Sequence, residues 1–218
     1  MIETLLPEGV AFAESEIPDP PEPLHPDETA LAEAMGPRRR PEFHAGRACA
    51  RRALAQLGVH DRPVLRGARR APLWPTGCVG AITHTDAYCA AVAAHDRDWA
   101  GVGLDAELRK PLSTRALERI CSPEECAHLR ALPGTSAEAW GNVVFSAKES
   151  LYKAYFPQTE VYLGFRDAAL ELDPERGRFA IRLVNDEVPD LAGRRAFEGR
   201  FAIATTRVYT FLAAPAAH

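Results

Sequence analysis

Three short segments carry residues whose types and spacing could do chemistry. The first is Gly101-Val102-Gly103-Leu104-Asp105-Ala106-Glu107. On a strand, side chains alternate, so Asp105 and Glu107 share one face while Leu104 and Ala106 point to the other. Two carboxylates side by side repel unless a positive charge sits between them, and magnesium is bound by one or two carboxylates together with substrate phosphates. The plain alternative is a strand end with two solvated acids. The second segment is Phe145-Ser146-Ala147-Lys148-Glu149-Ser150-Leu151-Tyr152-Lys153. Glu149 and Lys153 stand four apart on a helix, either as an exposed ion pair worth ~0.3 kcal/mol or as a third acid and a point charge for a phosphate. Flanking Phe145, Tyr152, Tyr155 and Phe156 would half-bury them, which a solvated pair does not need. The third is Thr83-His84-Thr85, where a lone histidine is as well suited to a structural hydrogen bond as to a ligand. The sequence holds no nucleophile elbow, H-E-x-x-H, P-loop or G-x-G-x-x-G, and Gly101-Val102-Gly103 lacks the third glycine of a dinucleotide fingerprint.

Charge is distributed unevenly around these segments. Residues 1–37 contain nine acids and no Lys or Arg, whereas residues 38–70 contain ten arginines against Glu42 and Asp61. One reading is an acidic leader before a solvated basic helix. The other is a pocket for a small, highly phosphorylated ligand, because arginine forks match phosphate oxygens. Charge alone leaves both open.

The elements that must position these residues follow from periodicity. Pro18, Pro20, Pro21, Pro23 and Pro26 predict an extended surface arm. Asp27 is a candidate cap for a short helix through Met35. Phe43, Ala50, Leu54 and Leu57 predict a helix over Pro41–Leu57 stopped by Gly58, followed by a loop over Pro63–Gly77. Strands are expected at Val79–Thr83, Ala87–Ala94 and Trp99–Glu107, and helices at Thr114–Ile120 and Pro123–Leu132. A longer helix is expected at Ala139–Phe156, with the stripe Val144, Ala147, Leu151 and Ala154, ended by Pro157. Strands at Phe165–Leu172, Phe179–Val184, Arg200–Thr205 and Val208–Leu212 complete an α+β chain.

Composition excludes several classes. With 46% apolar and 26% charged residues, the chain can bury a core without staples. A net charge of −4 argues against nucleic-acid binding. No run approaches the ~20 apolar residues of a membrane span, and the acidic, proline-rich start does not read as a secretory signal. Five scattered cysteines without a C-x-x-C pair read as reduced thiols, so the cytoplasm is the expected compartment.

The order of the short motifs says more than any one of them. Arg39-Arg40-Pro41-Glu42-Phe43, Gly46-Arg47, Trp74-Pro75, Thr83-His84, the Gly101–Glu107 segment and Phe145–Ala154 occur in a series that resembles the surfactin-type 4′-phosphopantetheinyl transferases. It is most similar to their actinobacterial and enterobactin-synthase-component branch, with its R-R-x-E-F and F-S-A-K-E-x-x-Y-K patterns, and the likeness spans about residues 30–205. The resemblance implies a monomer of two similar α+β lobes related by a pseudo-twofold axis. These are expected at 1–104, including the acidic arm, and at 105–218, with coenzyme A in the cleft between them. It assigns Arg39, Arg47 and His84 to the 3′-phosphate of coenzyme A, with Thr83 beside them, and Arg66 to a position near the nucleotide. Asp105, Glu107 and Glu149 fall on the triad that binds Mg2+ (Mn2+ as a substitute) with the pyrophosphate. Lys153 falls on the pyrophosphate lysine, and Lys148 joins it as a coenzyme A residue. Ala81-Ile82 stands where a serine is frequent, and Leu104 replaces an isoleucine.

The activity so implied is Mg2+-dependent transfer of 4′-phosphopantetheine from coenzyme A to a serine of apo acyl, aryl or peptidyl carrier proteins, releasing 3′,5′-ADP. Glu149 is the candidate base and Lys153 a catalytic charge. Two rivals use the same residues: a metal-dependent pyrophosphate hydrolase acting on coenzyme A, and a non-catalytic nucleotide-binding module. A hydrolase makes 3′,5′-ADP with no carrier present, and a binding module takes up coenzyme A without needing a metal.

Overall fold

The computed structural model describes residues 2–17 and 22–217. The first unit runs β1 (Ala11–Glu16), α1 (Pro26–Glu33), α2 (Arg40–Gln56), β2 (Leu65–Arg66), β3 (Pro72–Leu73), β4 (Cys78–Thr85) and β5 (Tyr88–His95). The second runs β6 (Trp99–Leu108), α3 (Thr114–Ile120), α4 (Pro123–Ala131), α5 (Ala137–Thr159), β7 (Ala168–Asp173), β8 (Arg178–Leu183), β9 (Ala196–Ile203) and β10 (Arg207–Pro215). The strands form antiparallel sheets β1-β5-β4 and β6-β10-β9-β8-β7, with β2-β3 a separate ribbon. In each unit the first strand pairs with the last and the last with its predecessor, and one long helix lies across the first and last strands. That shared topology matches the expected pair of similar α+β lobes, the second enlarged by β7 and β8. A division after Leu104 would cut β6 in the middle, because β6 pairs with β10 from Trp99 to Leu108. The chain changes sheet in the turn at 96–98.

Three apolar clusters hold this arrangement. Both faces of β5 are covered: Tyr88, Ala90, Val92 and Ala94 meet β6 and β10, while Cys89, Ala91 and Ala93 lie under α2. This explains why Tyr88–Ala94 reads as a continuous apolar run instead of an alternation. The largest cluster joins α3, α4 and α5 to the inner face of β7–β10, through Leu151, Phe179, Ile181 and Phe197 among others. Ser113, Ser122 and Ser136 each accept a backbone N–H at the start of α3, α4 and α5, satisfying donors that helices leave free.

Four expectations need correction. The first segment is not simply an arm, because β1 is a hydrogen-bonded edge strand of the first sheet. Pro18, Pro20 and Pro21 lie outside the described residues. The cap of α1 is His25, not Asp27, with Pro26 in its first turn. Pro157 does not end α5, which runs to Thr159 and stops at Glu160 in a left-handed conformation, φ 55°. A proline in the last turn forfeits one hydrogen bond, here to the Lys153 carbonyl, and leaves the rest of the turn to form. Last, Leu65–Leu73 forms a small ribbon within what reads as a loop.

The outer edge of the second sheet is closed by side chains. Leu170 N–H donates to Glu125 (2.8 Å) and Leu172 N–H to His128 (3.1 Å), both on α4.

Candidate active site

The site begins with the fit of α5 on β6. Gly101, Gly103, Asp105 and Glu107 face the helix, while Val102, Leu104 and Ala106 pack toward the first lobe. A Cβ on Gly103 would overlap the carbonyl oxygen of Ser150, and one on Gly101 would stand 2.5 Å from the carbonyl oxygen of Ala154. The two glycines therefore let helix and strand touch, and the acids begin where they stop. Asp105 is 3% exposed. Its Oδ1 accepts from Thr83 (3.1 Å) and Lys153 (2.7 Å), and its Oδ2 from Ser146 (2.7 Å). Ser146 and Ser150 share Thr210 of β10 as a further partner. Lys153 also donates to the Leu104 carbonyl (3.2 Å), which leaves one of its three donors for the cleft.

Glu107 and Glu149 are different. Among the described residues neither carboxylate accepts a hydrogen bond. Burial, then the charge of Asp105 and, more weakly, of Glu149, pushes Glu107 up to about 7 against the pull of Lys153. Glu149 is also raised, by burial first, against Lys153 and with Asp105. No three His, Cys, Asp or Glu side chains among the described residues stand close enough to grip a metal as they are. The donor set nonetheless fits a hard divalent cation: three carboxylates against one lysine, two of them with free lone pairs and held above the usual range by burial and by the charge of Asp105.

Beside these acids lies a cleft of about 490 Å³ between the lobes. Its α5 wall is Glu149, Tyr152, Lys153 and Phe156, with Tyr152 stacked on Phe156 at 5.3 Å. Its opposite wall carries Arg39, Arg47, Arg66, Arg69, Arg70 and His84. Arg47 is 6% exposed, lies over the Phe43 ring at 4.4 Å and donates to the Leu65 carbonyl (3.0 Å), yet its Nε has no partner. Burial lowers its pKa to about 10, against the favourable charge of Glu28. His84 is open to solvent but crowded by the cleft. Desolvation lowers its pKa, Glu42 opposes this, and Lys153 and Arg39 add to it.

The structure divides the arginine block between both of its readings. Arg51 pairs with fully buried Glu28, Arg52 with Glu22, and Arg40 donates to carbonyls at the end of α1 and just after it. Those arginines are spent on the acidic segment. Five others remain facing the cleft.

Of the expected site residues, Arg39, Arg47, Arg66, His84, Glu149 and Lys153 line the cleft, and Asp105 and Glu107 adjoin it through β6. Two do not fit a coenzyme A contact. Lys148 is 4% exposed and points into the second lobe, where Nζ donates to the carbonyls of Ile120 (2.9 Å) and Phe165 (2.8 Å) and to Glu125 (2.8 Å). All three of its donors are used there, and it is the next residue, Glu149, that occupies the cleft side of the helix. Thr83 alternates with His84 on β4 and so points inward. Its hydroxyl is taken by Asp105 and by Ala106 N–H (3.0 Å). Arg69 and Arg70 were not singled out. Their consecutive positive φ angles, 47° and 70°, turn the β2–β3 ribbon over the cleft, and nothing in the local pattern announces that turn.

Comparison with known proteins agrees with this geometry. Residues 27–94 match the family model "4′-phosphopantetheinyl transferase N-terminal domain", and residues 101–206 match "4′-phosphopantetheinyl transferase superfamily". The chain is 39% identical over 222 residues to 4′-phosphopantetheinyl transferase Svp of Streptomyces mobaraensis, covering 99% of this chain and 90% of that one. It is 40% identical to Npt of Nocardia iowensis (81% and 79% covered) and 40% identical to PptT of Mycobacterium tuberculosis (82% and 80% covered). On sequence, topology and the composition of its cleft, the chain belongs to the 4′-phosphopantetheinyl transferase superfamily.

Proposed function

We propose that this enzyme transfers the 4′-phosphopantetheine arm of coenzyme A to a serine of apo acyl, aryl or peptidyl carrier proteins and releases 3′,5′-ADP, with Mg2+ as the working cation. The observation that carries this reading is the polarity of the cleft. Five arginines and a histidine face a lysine and the open carboxylate of Glu149 across a space of about 490 Å³. Such a cleft suits a ligand with a phosphomonoester at one end and a pyrophosphate at the other.

Arg39, Arg47 and His84 bind the 3′-phosphate, and Arg66, Arg69 and Arg70 neutralise the nucleotide side from the ribbon. Tyr152 and Phe156 offer an apolar wall that keeps water from the pyrophosphate. Lys153, held by Asp105 and the Leu104 carbonyl, directs its remaining donor at the leaving phosphate and meets the charge that builds as the bond breaks. Glu149, the open carboxylate on the cleft wall, takes the proton of the incoming serine. Glu107 and Glu149, backed by Asp105, would hold the magnesium ion, which when bound neutralises the pyrophosphate oxygens. Asp105 chiefly orients: its three hydrogen bonds lock β4, β6 and α5 together behind the reacting groups.

The test is incubation with coenzyme A and Mg2+, with and without apo carrier protein, read by mass spectrometry. Transfer adds phosphopantetheine to the carrier and yields 3′,5′-ADP only when carrier is present. Release of 3′,5′-ADP without carrier would instead make the chain a pyrophosphate hydrolase. Full turnover in excess chelator would remove the cation from the reading.

A further inference from the structure

The contact of α5 with β6 has a regular register. Gly101 lies against Ala154, Gly103 against Ser150, and Asp105 bonds to Ser146. Each step of two residues along the strand matches a step of four back along the helix. The match is geometric, since two strand residues advance ~6.6 Å and four helical residues ~6.0 Å. Continued by one further step, the same register would set Glu107 opposite Asn142. The helical spacing agrees with that direction, because Asn142, Ser146, Glu149 and Lys153, spaced i, i+4, i+7 and i+11, fall on one face of α5.

Asn142 is 5% exposed, and its Oδ1 is buried with no hydrogen-bond partner. A buried carbonyl oxygen left unpaired is destabilising, because its water partners are lost and not replaced. It is also an acceptor with nothing to accept, on the face of α5 that looks at the carboxylates. A magnesium ion held by one or two carboxylates keeps several waters, and those waters are strong donors that need acceptors. We propose that Asn142 is a positioning residue of the cation site, its Oδ1 accepting a hydrogen bond from a water carried by the ion. The inference rests on the magnesium reading above and adds to it a residue outside the three acids. Residues of this outer shell typically change metal affinity by about 10–100-fold when removed.

The experiment is calorimetric titration of the full-length protein, saturated with coenzyme A, with Mg2+ and separately with Mn2+, alongside thermal melting. Asn142→Leu removes the acceptor and should weaken metal binding about tenfold or more, while the melting temperature holds or rises because an orphaned buried oxygen is gone. Asn142→Asp keeps acceptor oxygens and should retain the affinity. If the leucine variant does not fold, Asn142→Ala against Asn142→Asp makes the same comparison. Metal affinity within twofold of wild type in the leucine or alanine variant overturns the proposal, as does a lower melting temperature with unchanged affinity, which would make Asn142 a packing residue. A wild-type protein that binds neither ion overturns the magnesium reading itself, and the wild-type titration alone reveals that case.

Discussion

Lys148→Met separates a buried structural cation from a ligand-binding one. Methionine keeps the length and much of the apolar stem but removes the ammonium. Glu125 would then keep its hydrogen bonds from Ser122 N–H (2.7 Å) and Leu170 N–H (2.8 Å) but lose its only close cation among the described residues. The carbonyls of Ile120 and Phe165 would lose the Nζ donor as well. Breaking a buried pair from one side costs about 3–5 kcal/mol. At ~2–4 °C per kcal/mol for a chain of this size, melting should fall by roughly 6–20 °C. Adding Glu125→Gln should restore part of the loss, because the carboxamide oxygen still accepts an N–H and no charge is stranded. Coenzyme A affinity, measured by calorimetry well below the melting transition, should stay within about threefold. A ligand-binding lysine behaves the other way: charge-assisted bonds of ~1.5–3 kcal/mol would be lost from binding, a ten- to hundredfold weakening, with little change in melting. That second pattern would refute the structural role and return Lys148 to the substrate.

The cleft residues yield three further expectations. Arg47→Ala should weaken coenzyme A about ten- to hundredfold but hardly affect 3′-dephospho-coenzyme A, and equal losses for both ligands in calorimetry would remove Arg47 from the phosphate site. Glu149→Gln, which preserves size and helix propensity, should abolish carrier modification in a mass-shift assay while coenzyme A binding partly survives; unchanged turnover would make Glu149 an ordinary surface acid. Glu107, near 4.5 when unfolded and about 7 when folded, binds more protons in the native state between those values. Its contribution to stability therefore falls as pH rises from about 4.5 to 7. Melting of metal-free protein should decline across that window, less steeply in Glu107→Gln or with Mg2+ added, and identical slopes in all three would contradict the burial of Glu107 beside Asp105.

What the sequence makes legible is the set of elements and the faces of β6 and α5. Alternation sets Asp105 and Glu107 on one side of β6, and helical spacing sets Glu149 and Lys153 on one side of α5. These are local properties, and short-range periodicity encodes them. The partners of those residues are not local. That Asp105 would be enclosed by Thr83 and Ser146, 22 and 41 residues away, depends on how the two lobes dock and on how α5 packs across β6. Lys148 shows the limit most clearly. It shares a motif with Glu149, but ~100° of helical rotation sends it away from the cleft into the core of its own lobe, and only the placement of α4 and of Phe165 reveals its destination. β1 escaped for a similar reason, since an edge strand carrying Glu14 and Glu16 is identified by its ladder to β5 and not by its own composition.

The closure of β7 by α4 bears on how this protein behaves when it is heated or crowded. An antiparallel sheet that ends in bare N–H groups offers a template on which a second chain can add a strand. Here Leu170 and Leu172 would be such a template, and Glu125 and His128 occupy it. Glu125 is held in place by Lys148, so the ion pair that anchors α4 also guards the sheet against intermolecular pairing. Loosening α4 therefore does more than lower a melting temperature. It uncovers a sticky edge together with part of the core, the two surfaces through which a reversible local opening can pass into irreversible, concentration-dependent precipitation.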